Sequence, residues 1–102
     1  MKLAETFSPG EYLKDELNAR GWTQTQFAKI IGRPIQVVNE IIRERKSITA
    51  QTAVAFAAAF GTSAELWMNL EAAWQLSKVR VNPDIAKRAK QAQSSKRSLA
   101  VS

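Results

Sequence analysis

Residues 23–47 read Thr23-Gln24-Thr25-Gln26-Phe27-Ala28-Lys29-Ile30-Ile31-Gly32-Arg33-Pro34-Ile35-Gln36-Val37-Val38-Asn39-Glu40-Ile41-Ile42-Arg43-Glu44-Arg45-Lys46-Ser47, and the punctuation of this stretch decides the fold. Thr23 with Gln26 makes a capping box, in which a hydroxyl and a side-chain amide satisfy two of the backbone N–H groups that a helix start leaves unpaired. The helix it opens presents Phe27, Ala28 and Ile31 inward and stops at Gly32 after about two turns. Pro34 then opens another helix, in which Val38, Ile41 and Ile42 form an i, i+3, i+4 apolar stripe. The polar run Arg43 to Ser47 ends it.

The same punctuation recurs on both sides. Upstream, Ser8 caps a first helix, Pro9 takes its first position and Glu11 completes a capping box, with Phe7 and Tyr12 placed as a hydrophobic staple. That helix carries Leu13 and Leu17 on one face and ends at Gly21. Downstream, Thr49 caps an alanine-rich helix from Ala50 to Phe60, closed by Gly61 and suited to close packing. Thr62 or Ser63 caps a fifth, with Glu65 as the partner of Thr62, which carries Leu66, Trp67, Leu70, Ala73 and Trp74 at helical spacing. Asn82-Pro83-Asp84 is a further start signal, and Ile85 to Gln93 is helix-compatible but has little apolar face. The pattern predicts an all-α fold of five short helices over residues 1–80 and a tail, residues 81–102, that is partly helical or disordered.

Composition narrows the chemistry. The 102 residues, 45% hydrophobic and 24% charged, suffice for one domain with a single modest core. With no Cys and no His there is no disulfide, no thiol nucleophile, no imidazole or thiolate metal site and no proton shuttle through an imidazole. No cofactor is expected. Carboxylate pairs exist at Asp15 with Glu16 and at Glu40 with Glu44, but adjacent residues on a helix diverge by ~100°. Glu40 and Glu44 flank arginines that would engage them in surface pairs. Catalysis is not expected. The longest apolar run, Ala53 to Phe60, is far short of the ~20 residues that cross a bilayer. Glu5 and Pro9 interrupt the stretch where an export signal would be apolar. A cytoplasmic protein without membrane contact is expected.

The two short helices and the break at Gly32 have the proportions of a helix-turn-helix, whose second helix enters the DNA major groove. An ordinary small helical bundle has them too. A wheel of the second helix puts Pro34, Ile35, Val38, Ile41 and Ile42 on one side, while Gln36, Asn39 and Arg43 fall within about 60° of one another on the other. Two amides and a guanidinium thus point outward together, and these are the groups that pair bidentately with adenine and guanine edges. The alternative is a solvated polar face, which Glu40 and Glu44 favour because carboxylates repel phosphate.

Beyond this geometry, the sequence resembles the HigA-type (VapI-type) antitoxins, a branch of the Cro/CI-like, or XRE, helix-turn-helix regulators. The resemblance runs from about Ser8 to Leu76. It rests on Pro9-Gly10-Glu11 with Leu13 and Glu16, on Thr23-Gln24-Thr25-Gln26-Phe27-Ala28, on Asn39-Glu40-Ile41 and on Ile48-Thr49. Most specific is Phe60-Gly61-Thr62-Ser63 followed by Trp67-Met68-Asn69-Leu70 and Trp74. The resemblance implies a compact five-helix dimeric repressor that neutralises a RelE-like (HigB-type) ribonuclease toxin and represses their shared operon. It implies a phosphate contact for Gln24, outward positions on the recognition helix for Gln36 and Asn39, and a backbone-facing end at Arg43, Arg45 and Lys46. Three positions depart from the pattern. Arg33 stands where a buried aliphatic residue is usual, and Ile35 and Val37 where polar or basic ones are. Ile35 lies near the core side of the wheel, whereas Val37 should be exposed and could touch a thymine methyl.

Trp67, Leu70 and Trp74, widened by Leu66, are either core packing or a dimer seam, since tryptophan is enriched at interface hot spots. The resemblance favours the seam. The net charge of +6 resides wholly at the C-terminal end: residues 1–77 carry eight basic and eight acidic residues, and residues 78–102 carry seven basic residues and Asp84. Lys87, Arg88, Lys90, Lys96 and Arg97 could neutralise phosphates, or the tail could be a solvated extension, or it could dock through Ile85, Leu99 and Val101. The expected function is an operator-binding antitoxin. The alternatives are a stand-alone repressor without a toxin and a protein-binding module that no longer reads DNA.

Overall fold

The computed structural model describes residues 7–79 and 82–101, with side chains as far as residue 94. Six helices follow one another: α1 (Pro9–Arg20), α2 (Gln24–Ile31), α3 (Ile35–Ile42), α4 (Ala50–Phe60), α5 (Ala64–Lys78) and α6 (Pro83–Val101). The described residues are all-α, with the five expected short helices and a longer sixth where a tail partly helical or disordered was expected. The boundary anticipated at residue 80 lies outside the described residues, as do the side chains of Lys96, Arg97, Leu99 and Val101. None of the helices is long and apolar enough to cross a membrane, among the described residues.

The helix starts obey the local signals. Ser8 Oγ accepts the Glu11 N–H at 3.1 Å while the Glu11 carboxylate accepts the Ser8 N–H at 3.2 Å, and Thr23 and Gln26 repeat this exchange at 3.0 and 2.8 Å. The expected staple does not close over the first cap, because Phe7 is 60% exposed. At α5 the two candidate caps divide their roles. Ser63 Oγ accepts the Leu66 N–H, whereas Thr62 Oγ1 accepts a hydrogen bond from the Trp67 indole N–H at 3.1 Å. Thr62 therefore serves the core and does not cap with Glu65.

Trp67 is wholly buried and joins three elements. Its ring lies 5.2 Å from Tyr12 of α1, and 5.0 and 5.7 Å from Phe56 and Phe60 of α4, centroid to centroid. Phe60 in turn stacks on Phe27 of α2 at 4.9 Å, so an aromatic column runs from α5 to the start of the two short helices. The Arg20 guanidinium closes its outer end, 4.6 Å from the Phe60 ring centroid and donating to the Phe60 carbonyl at 3.1 Å, while paired with Glu16.

Two backbone features set α3. A Cβ built on Gly10 would stand 2.5 Å from the Ile41 carbonyl oxygen and 2.6 Å from that of Ile42, so the first turn of α1 abuts the end of α3 with no room for a side chain. This contact also brings the positive end of one helix dipole to the carbonyls at the negative end of another. The α3 terminus closes with the Glu44 N–H on the Ile41 carbonyl and the Arg45 N–H on the Glu40 carbonyl, a Schellman pattern with Glu44 at φ +62°. Helices α1, α2 and α4 end on glycine in the same conformation; here a glutamate bears the strain, and no local signal announced it. Gly10→Ala is expected to lower stability by about 1–3 kcal/mol in urea unfolding, because backbone atoms cannot yield as a flexible side chain would.

Candidate nucleic-acid interface

With Val38 and Ile41 at 0 and 1% exposure, the core direction of α3 is fixed, and the outward face can be drawn from it. Gln36 and Arg43 are exposed and Asn39 is half-buried on the opposite side of the helix. The Asn39 amide donates to Gln24 Oε1 at 3.3 Å, tying the first residue of α2 to the middle of α3. Gln24, Ile35, Gln36, Asn39, Glu40, Arg43 and Arg45 line one shallow depression. Its lining combines amides, guanidinium groups, the Glu40 carboxylate and one aliphatic side chain, drawn from the start of α2, the outer face of α3 and the turn after it.

Five of the seven residues named for DNA contact thus come together: Gln24, Gln36, Asn39, Arg43 and Arg45. Lys46 stands apart, in a crevice between the α3–α4 turn and the end of α5, with Arg45, Ser47 and Lys78. Val37 does not belong to the outward face. It is half-buried against the core, while Ile35 is 44% exposed within the depression, the reverse of the expectation. Measured from the bisector of Val38 and Ile41, Val37 lies about 70° away and Ile35 about 90°, so the inversion is geometric. Centring the wheel on the two buried residues, and not on every aliphatic one, is the signal that would have found it. The Arg33 side chain is half-buried.

Among the described residues, none of Arg43, Arg45 and Lys46 pairs with a carboxylate within 4 Å, although Glu40 and Glu44 are adjacent in sequence. The surface pairs expected there do not form, which leaves the cationic groups available to phosphate.

Glu71 carried no signal in the sequence, yet it holds the turn that carries these residues. It is 8% exposed, its Oε1 accepts the Ile48 N–H at 2.8 Å and its Oε2 accepts from the Gln75 amide at 2.6 Å. A carboxylate on α5 thereby fixes the backbone just after Arg43–Ser47.

Of the residues expected at a seam on α5, only Trp67 is wholly buried. Trp67 has no surface to offer a partner, Leu70 packs on the core, Leu66 is half-buried, and Trp74 is half-buried in the crevice with the Lys78 ammonium 5.3 Å from its ring centroid. These residues keep to the helix's inner face. The outward stripe is Met68, Ala72, Leu76 and Val79, all exposed, Leu76 to 74%.

A helix-turn-helix family model matches residues 13–67, which span the two short helices and end at Trp67. The virulence-associated protein I of Dichelobacter nodosus is 38% identical over 69 residues, 67% of this chain and 64% of that protein, a little under two thirds of its length. An addiction module antidote protein of the HigA family from Coxiella burnetii superposes with a TM-score of 0.69 at 32% identity, over 88% of this chain and 94% of that one. The Pseudomonas aeruginosa antitoxin HigA, solved with the higBA promoter, superposes with a TM-score of 0.69 at 31% identity over the same shares of the two chains. The chain belongs to the XRE-type helix-turn-helix family and, within it, to the HigA-type branch. That family comprises regulators and antitoxins, not enzymes. Glu71→Ala, which leaves the Ile48 N–H without its buried acceptor, is expected to cost about 1–3 kcal/mol in urea unfolding. Glu71→Gln keeps an acceptor and should retain most of that stability.

Proposed function

We propose that this chain is the antitoxin of a type II toxin–antitoxin module. As a cytoplasmic homodimer it binds the operator DNA upstream of its own gene, represses that operon and neutralises a RelE-like (HigB-type) ribonuclease toxin. The observation that carries the reading is the outward cluster of Gln36, Asn39 and Arg43 on the second of the two short helices, braced by Gln24. Amide and guanidinium groups on a helix of this size match the donor and acceptor pattern of the major groove. The likeness to an antitoxin solved with its promoter supports the same assignment. Arg45 and Lys46 in the adjoining turn suit phosphate contacts, which orient the helix without specifying sequence.

Two recognition helices must stand ~34 Å apart to enter successive major grooves, so the reading requires a dimer. The exposed stripe Met68, Ala72 and Leu76 on α5, continued by Val79 just past its end, is the surface we assign to it, in place of the buried Trp67. The stripe lies on the helix that also anchors the α3–α4 turn through Glu71.

A mobility-shift assay on the upstream DNA is the direct test. Alanine at Gln36, Asn39 or Arg43 should each cost about 1–3 kcal/mol on the operator and little on random DNA. Equal losses on both would reassign these residues to backbone contact, and no binding by the intact chain would favour a protein-binding module. Co-expression with the product of the adjacent reading frame separates antitoxin from stand-alone repressor, since only the antitoxin relieves toxicity. Leu76→Glu, at a position exposed in the single chain, should halve the mass seen by light scattering and weaken operator binding with the fold intact.

A further inference from the structure

Helix α6 differs in kind from the five helices before it. Every side chain described between residues 82 and 94 is exposed, including Ile85 at 53%, so docking of this segment onto α5 does not occur. Local signals define the helix. Pro83 occupies its first position, Asn82 Oδ1 accepts the Asp84 N–H at 2.8 Å, and Asp84 places a negative charge at the positive end of the dipole. Alanine, lysine, arginine and glutamine, all strong helix formers, fill every position from Ala86 to Gln93. The chain's excess charge lies at this end: residues 1–77 sum to zero and residues 78–102 to +6, of which α6 holds +4.

The point of departure is equally informative. Lys78, the last residue of α5, lines the same crevice as Arg45, Lys46 and Ser47 from the turn after α3. The chain therefore leaves the body beside the cationic turn assigned above to phosphate contact. The five residue steps from Lys78 to Pro83 span at most about 18 Å. The helix itself, 19 residues, is roughly 28 Å long at 1.5 Å per residue. B-DNA presents one phosphate charge per ~1.7 Å of axis, so a basic helix of this length meets many of them wherever it lies along the duplex.

Resting on the operator-binding reading, we propose that α6 is an arm that grips the phosphate backbone flanking the operator through Lys87, Arg88 and Lys90, adding affinity without reading bases. A second copy of the chain is the weaker occupant. Ile85 is the one large apolar side chain among residues 82–94, and alanines do not supply the bulky anchors on which interfaces depend. The division of labour also suits the charges. The α3 face has base-reading groups but carries Glu40 and Glu44 beside its arginines, whereas α6 has a single acid, Asp84.

The test compares the full chain with the triple variant Lys87→Gln, Arg88→Gln, Lys90→Gln, which lowers the net charge from +6 to +3 while glutamine keeps the helix propensity. Binding to operator and to random duplex is measured at several salt concentrations, with mass by light scattering alongside. The slope of log affinity against log salt should become shallower by about 2–3 units, at ~0.9 per phosphate contact, on both DNAs. The operator-to-random affinity ratio should stay at its wild-type value. An unchanged slope overturns the proposal, as an idle extension if the mass is unchanged and as a dimerisation element if the mass falls. A wild-type chain that binds both DNAs equally would sink the operator reading, while the slopes would still judge the arm. A wild-type chain that binds neither would sink both.

Discussion

The burial of Trp67 brings α1, α4 and α5 onto one ring, and the position of the two short helices depends on it. Its indole N–H is satisfied by Thr62, so the largest core side chain leaves no polar atom unpaired, and its faces meet Tyr12, Phe56 and Phe60. Phe60 passes the packing on to Phe27, which seats α2. Gly10 then admits the first turn of α1 against the terminal carbonyls of α3, and Glu71, one turn beyond Trp67, holds the Ile48 N–H behind the α3–α4 turn. Helix α3 is thus restrained at its end and along its inner face. Its outer face is left free to carry groups that the core does not need.

That separation suits a small, electrically neutral body to the proposed role of DNA reader. Base recognition asks for amides and guanidinium groups at fixed positions, and the rigid α3 presents Gln36, Asn39 and Arg43 in that way. Affinity for a polyanion asks for uncommitted positive charge, which requires neither burial nor a fixed position. In the proposed reading the first property lies on the packed domain, and the second is shared between the turn after α3 and α6. Helix α5 carries both the exposed apolar stripe proposed as the dimer surface and the carboxylate that anchors the α3–α4 turn, so in that proposal association and the placement of Arg43, Arg45 and Lys46 share one helix.

Helix boundaries were legible in the sequence because their causes are local. The capping boxes at Ser8–Glu11 and Thr23–Gln26 are each closed within three residues, and both form. Helix faces were less legible, since the direction of the core is set by partners distant in sequence. Ile35 and Val37 exchanged roles for that reason, and the tryptophans of α5 turned inward while Met68, Ala72 and Leu76 turned outward. Thr62 resembled a cap because its true partner, the Trp67 indole, is a tertiary contact. Glu71 gave no signal at all, as an acid at a helical position is ordinarily solvent-facing. The outward Gln36, Asn39 and Arg43 could be read correctly because they lie opposite Val38 and Ile41 however the wheel is centred.

Amide chemical-shift mapping on the isotopically labelled chain, titrated with a duplex from the DNA upstream of its own gene, tests the central claim most directly. The account predicts that the largest perturbations fall on residues 24, 36, 39, 43, 45 and 46, with the side-chain amides of Gln36 and Asn39 shifting on operator and not on random duplex. Perturbations concentrated elsewhere on the domain, or identical for the two duplexes, would contradict it.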